Sequence, residues 1–133
     1  MISEPELVIR LLLSSLFGGI LGYEREVKHK PAGLRTHILV SLGSTLFTIL
    51  SFYAFPGADP ARVASYILIG VGFIAGGAII QSEDHTTGIT TASSLWVTSS
   101  IGMAVGIGFY LAALIVTMIA YFTLFIRRFE KKP

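Results

Sequence analysis

The chain has 133 residues, of which 53% are apolar and only 14% charged, and its mean hydropathy is +0.73. A soluble domain carries about 25% charged residues, so soluble globular, disordered and collagen-like classes are excluded and an integral membrane protein remains. The formal charge of +2 is no sign of a nucleic-acid partner, because the ten basic residues cluster at the ends of apolar runs. Cysteine is absent, which removes disulfides, thiolate nucleophiles and cysteine metal sites.

In chain order, apolar runs cover residues 5–23, 36–55, 63–81, 89–105 and 109–126. A helix needs about 20 apolar residues to cross the hydrocarbon core. The spacing predicts one all-α transmembrane bundle of about five spans, a single domain over residues 1–133. Only the G-I-G at Gly106–Gly108 separates the last two runs. Four helices, with those two fused or one re-entrant, is the alternative.

The first run is not a signal peptide. Glu4 and Glu6 precede it, Arg10 lies inside it, and no small-x-small cleavage site follows. Pro5 suits a first helical turn. Arg10 has Glu6 four residues earlier on the same face. It either snorkels outward or pairs with Glu6, or else it faces a cavity as a buried charge.

Eight of the ten basic residues lie in the first loop (Arg25, Lys28, Lys30, Arg35) and the tail (Arg127, Arg128, Lys131, Lys132). With five spans both segments share a side, and the positive-inside rule makes it cytoplasmic. The N-terminus is then outside and the C-terminus inside. A four-span chain would split the two segments.

Glycines recur at helical spacing. Gly18 and Gly22 close the first run, Gly72 and Gly76 form one G-x-x-x-G, and Gly102 and Gly106 another. Such stripes let helix backbones approach closely. They serve packing inside the bundle or an interface between two copies.

The third loop holds Glu83, Asp84 and His85. With Thr90, the two carboxylates offer oxygen ligands of the kind magnesium prefers. The fourth run is rich in hydroxyls. Thr91, Ser94 and Thr98 share one face, which suits tight packing or a polar pathway. Trp96 is expected to be buried in a contact.

The first loop joins Gly22 to His37 as G-Y-E-R-E-V-K-H-K-P-A-G-L-R-T-H. Pro31 and Gly33 punctuate it, and Thr36 is placed to cap the next helix. Glu24, Arg25 and Glu26 can form ion pairs at headgroup level. A loop that only set topology would need neither the paired glutamates nor the run through Gly33, Arg35 and Thr36.

These residues carry a resemblance. E-R-E followed by K-P-A-G-L-R-T-H and L-V-S-L-G-S resembles the MgtC/SapB (YhiD-like) family of bacterial membrane proteins. So do I-G-V-G-F-I-A-G-G-A-I-I at 69–80 and G-I-T-T-A-S-S-L-W-V-T-S-S-I-G-M-A-V-G-I-G at 88–108. The resemblance covers nearly the whole chain, in order. It implies a multi-pass protein of the bacterial inner membrane, linked to magnesium homeostasis and growth at low magnesium. Virulence-type members have an asparagine at the position of Thr90 and a cysteine after the tryptophan. Both are missing here, so the SapB type is the nearer likeness. The soluble domain that virulence-type members carry after the last helix is expected to be absent.

Two functions follow as expectations. One is a cation transporter or channel component with Mg2+ as the ion, working as a homo-oligomer, a dimer in the first instance. The other is a non-transporting regulatory subunit that binds another membrane protein. An enzyme is not expected. His37 and His85 could act as bases for a serine, but both sit at membrane boundaries, and no nucleophile elbow, zinc motif or phosphate loop is present.

Overall fold

The computed structural model describes residues 1–126. The tail residues Arg127, Arg128, Lys131 and Lys132, on which part of the topology expectation rests, lie outside the described residues. Five helices follow one another: α1 Glu4–Val27, α2 Leu34–Tyr53, α3 Arg62–Gly76, α4 Ile89–Gly106 and α5 Tyr110–Phe125. A two-residue antiparallel hairpin, β1 Ile80–Gln81 with β2 Thr86–Thr87, joins α3 to α4 and pairs Ile80 with Thr87. Among the described residues the regular structure is all helical apart from this hairpin. By length and composition α1 and α2 are apolar enough to cross a membrane.

Local chemistry sets the boundaries. Ser3 caps α1 by accepting the N–H of Glu6 at 3.3 Å, and Pro5 occupies the first turn. The helix then runs on to Val27, so Glu24, Arg25 and Glu26 stand on its last turns rather than in a loop. Thr36 does not cap α2. Gly33 occupies the cap position, and the Glu26 carboxylate takes the Leu34 N–H at 3.3 Å instead. The third helix stops at Gly76, five residues short of the expected end of its run. With 15 residues it is about 22 Å long. Gly88 and Gly108 sit at φ +89° and +84°, where a side chain is disfavoured, and they turn the chain into α4 and toward α5.

Contacts fix the directions. The start of α1 meets the end of α4 and the start of α5, through Arg10 with Gly106 and Tyr110. The end of α1 meets the start of α4 through Arg25 and Thr91, and the end of α5 through Lys28 and Leu124. His37 meets Ser94, and Thr45 meets Gly102, so α2 and α4 run parallel. Ser51, at the end of α2, bonds Pro60 and Ala64, so α3 turns back. Helices α1, α3 and α5 therefore point one way and α2 and α4 the other. The loop of residues 28–33, the hairpin and the end of α5 share one end, termed here the basic end.

Around α2 the interior is polar and the exterior apolar. On α2 the buried residues include Ser41, Ser44, Thr45, Thr48 and Ser51, while Leu39, Leu46, Phe47 and Leu50 are exposed. Water would reverse this arrangement; hydrocarbon favours it. Phe17, Leu21, Ile101, Val105 and Ala113 form the apolar core shared by α1, α4 and α5.

Glycines admit the polar interior. A Cβ at Gly18 would come within 2.7 Å of the His37 carbonyl, and one at Gly22 within 2.8 Å of Leu34 Cα. One at Gly102 would strike the Ser41 carbonyl, and one at Gly106 would lie 2.7 Å from Thr48 Cβ. These four glycines seat α1 and α4 against α2. Gly72 and Gly76 do not share that role among the described residues, because a Cβ built on either would meet no neighbouring element within 4 Å.

Candidate functional site

A polar seam runs the length of the bundle between α1, α2 and α4. At the basic end Glu24 and Arg25 are 4% and 3% exposed, although both are ionisable. Glu24 pairs with Lys28 one turn on, and its other oxygen lies 3.5 Å from Arg25 Nη1. Neither carboxylate oxygen has a well-directed hydrogen bond, and Arg25 Nε lacks a partner as well. Arg25 Nη2 donates to Thr91 Oγ1 at 3.2 Å, and Lys28 Nζ donates to the Leu124 carbonyl at 2.9 Å. Three helix ends are thereby tied together by one carboxylate and two cations.

One turn deeper lies His37, fully buried. Its Nδ1 is 2.9 Å from the Gly33 carbonyl and its Nε2 2.9 Å from Ser94 Oγ. Ser94 Oγ is also 2.7 Å from the Thr91 carbonyl. Farther along, Thr98 donates to the Ser94 carbonyl at 2.7 Å and Thr45 to the Gly102 carbonyl at 2.8 Å. Ser14, Ser41, Ser44, Thr48, Ser51 and Ser99 add further buried hydroxyls on these helices.

Arg10 closes the opposite end. Its Nη1 donates to the Gly106 carbonyl at 2.8 Å, and its Nε reaches Glu6 Oε1 at 3.0 Å and the Tyr110 hydroxyl at 3.3 Å. Tyr110 in turn donates to Glu6. Arg10 does pair with Glu6, but it does not snorkel outward, because it is 8% exposed and turned onto α4.

The structure thus gathers Arg25, Thr91, Ser94 and Thr98 into one seam with Gly18, Gly22, Gly102 and Gly106 along its walls. Glu26 and Gly33 secure the turn beside it, where a Cβ on Gly33 would meet the Glu26 carboxylate at 2.7 Å. Pro31 and Arg35 are exposed at the basic end, and Thr36 is half-buried in the first turn of α2. The remaining candidates stand apart. Glu83 and Asp84 sit at the exposed tip of the hairpin, and Thr90 is exposed in the first turn of α4. Among the described residues no group of three or more histidine or carboxylate side chains converges as a metal site would. Trp96 is not buried; it is 54% exposed on the outer face of α4. The Thr91, Ser94 and Thr98 stripe claims the inward face of that helix, which leaves the bulky indole outside. His85 also lies at the hairpin tip, with Nδ1 3.1 Å from Ser82 Oγ.

Three partners were missed by sequence reasoning. Lys28 stands four residues after Glu24, a spacing that marks an ion pair once the helix is known to continue. The imidazole of His37 was weighed only as a base. Tyr110 carries no local signal, since its partners are 100 and 104 residues away.

The MgtC family profile matches residues 11–132. A protein of Escherichia coli K12 named "Putative magnesium transporter YhiD" is 44% identical over 79% of this chain and 53% of its own length. Protein SapB of Bacillus subtilis is 39% identical over 80% of this chain and 50% of its own. Protein MgtC of Brucella abortus is 36% identical over 77% of this chain and 43% of its own. The chain spans about half the length of the curated relatives it matches. No solved structure matches it. With its profile match running from the first helix into the tail, the chain belongs to the MgtC family.

Proposed function

We propose that the chain is a multi-pass protein of the bacterial inner membrane that serves magnesium homeostasis by binding and regulating another membrane protein. The link to magnesium rests on the family and on the name carried by the YhiD relative. Five alternating helices, a polar interior and an apolar exterior support a five-span arrangement with the basic end in the cytoplasm. Both the homo-oligomer and the assembly with a partner draw support from Gly72 and Gly76, which have open space beside them.

One observation favours regulation over conduction. The polar seam is capped at both ends by a buried arginine, Arg25 at one and Arg10 at the other. A divalent cation would have to pass two guanidinium groups, and fixed positive charge in a narrow polar path repels cations. Glu24 and Glu6, the carboxylates beside them, are already engaged. Magnesium is then the ion handled by the partner, and the chain has no enzymatic role.

The test is Mg2+ flux into liposomes carrying the purified, folded chain, set beside growth of deletion cells at low magnesium. The expected result is rescue of growth without flux. Flux above that of empty liposomes would overturn the regulatory reading. The transporter reading would then stand, with Glu83→Gln and Arg25→Gln to locate its path.

A further inference from the structure

The hydrogen bonds around His37 contain one proton too few for the acceptors present. The Gly33 carbonyl can only accept, so Nδ1 at 2.9 Å carries a hydrogen. Nε2 is 2.9 Å from Ser94 Oγ, and Ser94 Oγ is 2.7 Å from the Thr91 carbonyl. A serine hydroxyl has a single hydrogen. With a neutral imidazole, Ser94 gives that hydrogen to Nε2, and its bond to Thr91 is lost. With a second proton on the ring, Nε2 donates to Ser94 Oγ, and the hydroxyl turns to the Thr91 carbonyl. Only the second arrangement makes every short contact a hydrogen bond.

We infer that His37 and Ser94 form a proton-binding site, in which uptake of one proton at Nε2 reverses the Ser94 hydroxyl from the imidazole to the Thr91 carbonyl. The step is balanced. One proton enters from solvent at the basic end, no covalent bond between heavy atoms changes, and the site gains one positive charge. The site stands whether or not the magnesium reading holds. The charged groups facing His37 are Arg25 and Glu24, both on α1. From α4 it faces the hydroxyl of Ser94.

The added charge has a structural consequence. The neighbouring cluster already sets two cations, Arg25 and Lys28, against the single carboxylate of Glu24. A protonated His37 makes three cations beside one carboxylate, at the N-terminus of α4, whose own dipole end is positive. The proton thus strains the Arg25–Thr91 junction that fastens α1 to α4.

The test is solid-state NMR on the full chain in lipid bilayers, with labelled histidine and labelled threonine carbonyls. His29 and His85 are exposed, so a His29→Asn, His85→Asn background leaves His37 as the one histidine. At about pH 8 the ring should be the Nδ1–H tautomer, and on stepwise acidification below the ordinary histidine range, to about pH 4, it should become doubly protonated. The Thr91 carbonyl resonance should move with it. In Ser94→Ala the Nδ1–H bond should persist while the Thr91 carbonyl no longer follows pH. A ring that stays neutral throughout, one that carries its hydrogen on Nε2, or a Thr91 carbonyl that responds equally without Ser94 would overturn the inference.

Discussion

Arg10 donates through Nη1 to the Gly106 carbonyl at 2.8 Å, a contact between the second turn of α1 and the last residue of α4. Gly106 is among the final carbonyls of α4 that no intrahelical N–H can satisfy. The same guanidinium turns Nε toward Glu6 at 3.0 Å, so its two donors serve two helices at once. A lysine keeps the charge but lacks this planar fork. Arg10→Lys is therefore expected to lower the thermal unfolding midpoint by about 5 °C, and Arg10→Ala by more. Circular dichroism melts in one detergent would decide it. A lysine variant as stable as the parent would mean the fork is not used.

Two glycine substitutions should differ in sign. At Gly102 a methyl group would strike the Ser41 carbonyl, a backbone atom that cannot step aside. Gly102→Ala is expected to cost about 1–3 kcal/mol, the range of overpacking in a closed interior. At Gly72 the space is open. There alanine should be neutral or stabilise by up to about 1 kcal/mol through helix propensity. Unfolding of both variants in graded denaturing detergent tests the pair. Loss of a low-magnesium growth phenotype in a stable Gly72→Ala would mark that face as a contact with a partner.

At the basic end the decisive charge is Glu24. It is 4% exposed, and it is the carboxylate paired with both Arg25 and Lys28. Glu24→Gln keeps the shape and removes the charge. It should destabilise by about 3 kcal/mol, chiefly because buried Arg25 loses its counter-ion while Lys28 reaches water. The double variant Glu24→Gln, Arg25→Met should recover much of that loss, since a buried pair is often replaceable by apolar groups. If the double variant is no more stable than the single one, the buried pairing of Glu24 with Arg25 is not the cause.

Much of this architecture was legible in the sequence, for reasons that differ from residue to residue. Apolar runs located all five helices, since lipid leaves little freedom in the length of a buried element. Helix ends were less legible. Nothing local said that α1 would carry Glu24 to Val27, because burial beside Thr91 is a tertiary effect. The glycine stripes could be read as close-packing sites, yet identical spacing gave opposite outcomes at Gly102 and Gly106 and at Gly72 and Gly76. Which face of a helix meets a neighbour depends on the whole bundle. Trp96 was misjudged on the same ground: the hydroxyl stripe of α4 outcompetes an indole for the interior, because hydroxyls need partners that lipid cannot supply.

The chain contains no cysteine, so single cysteines can report sidedness without background. Asp84→Cys in the hairpin tip and Asp59→Cys in the loop between α2 and α3 occupy exposed positions at opposite ends of the bundle. With the basic end in the cytoplasm, a membrane-impermeant maleimide added to intact spheroplasts should label position 59 and spare position 84. Lysis should expose both. Labelling of position 84 from outside would invert the topology, and equal labelling of both from one side would remove the five-span arrangement.

Trp96 is the chain's one tryptophan, so its fluorescence reports a single place. It lies seven residues into α4, about 10 Å along the helix from its start, and it is 54% exposed. In a single copy surrounded by lipid, the indole faces acyl chains. Lipids brominated on those chains should then quench most of the emission, while iodide in the water should quench little. A second copy or a partner helix seated on this face would shield the ring from brominated chains. Dilution of the protein into excess lipid would separate the cases. Quenching that rises on dilution indicates a covering copy, whereas strong quenching at every ratio leaves the α4 face to lipid and moves any assembly to another surface.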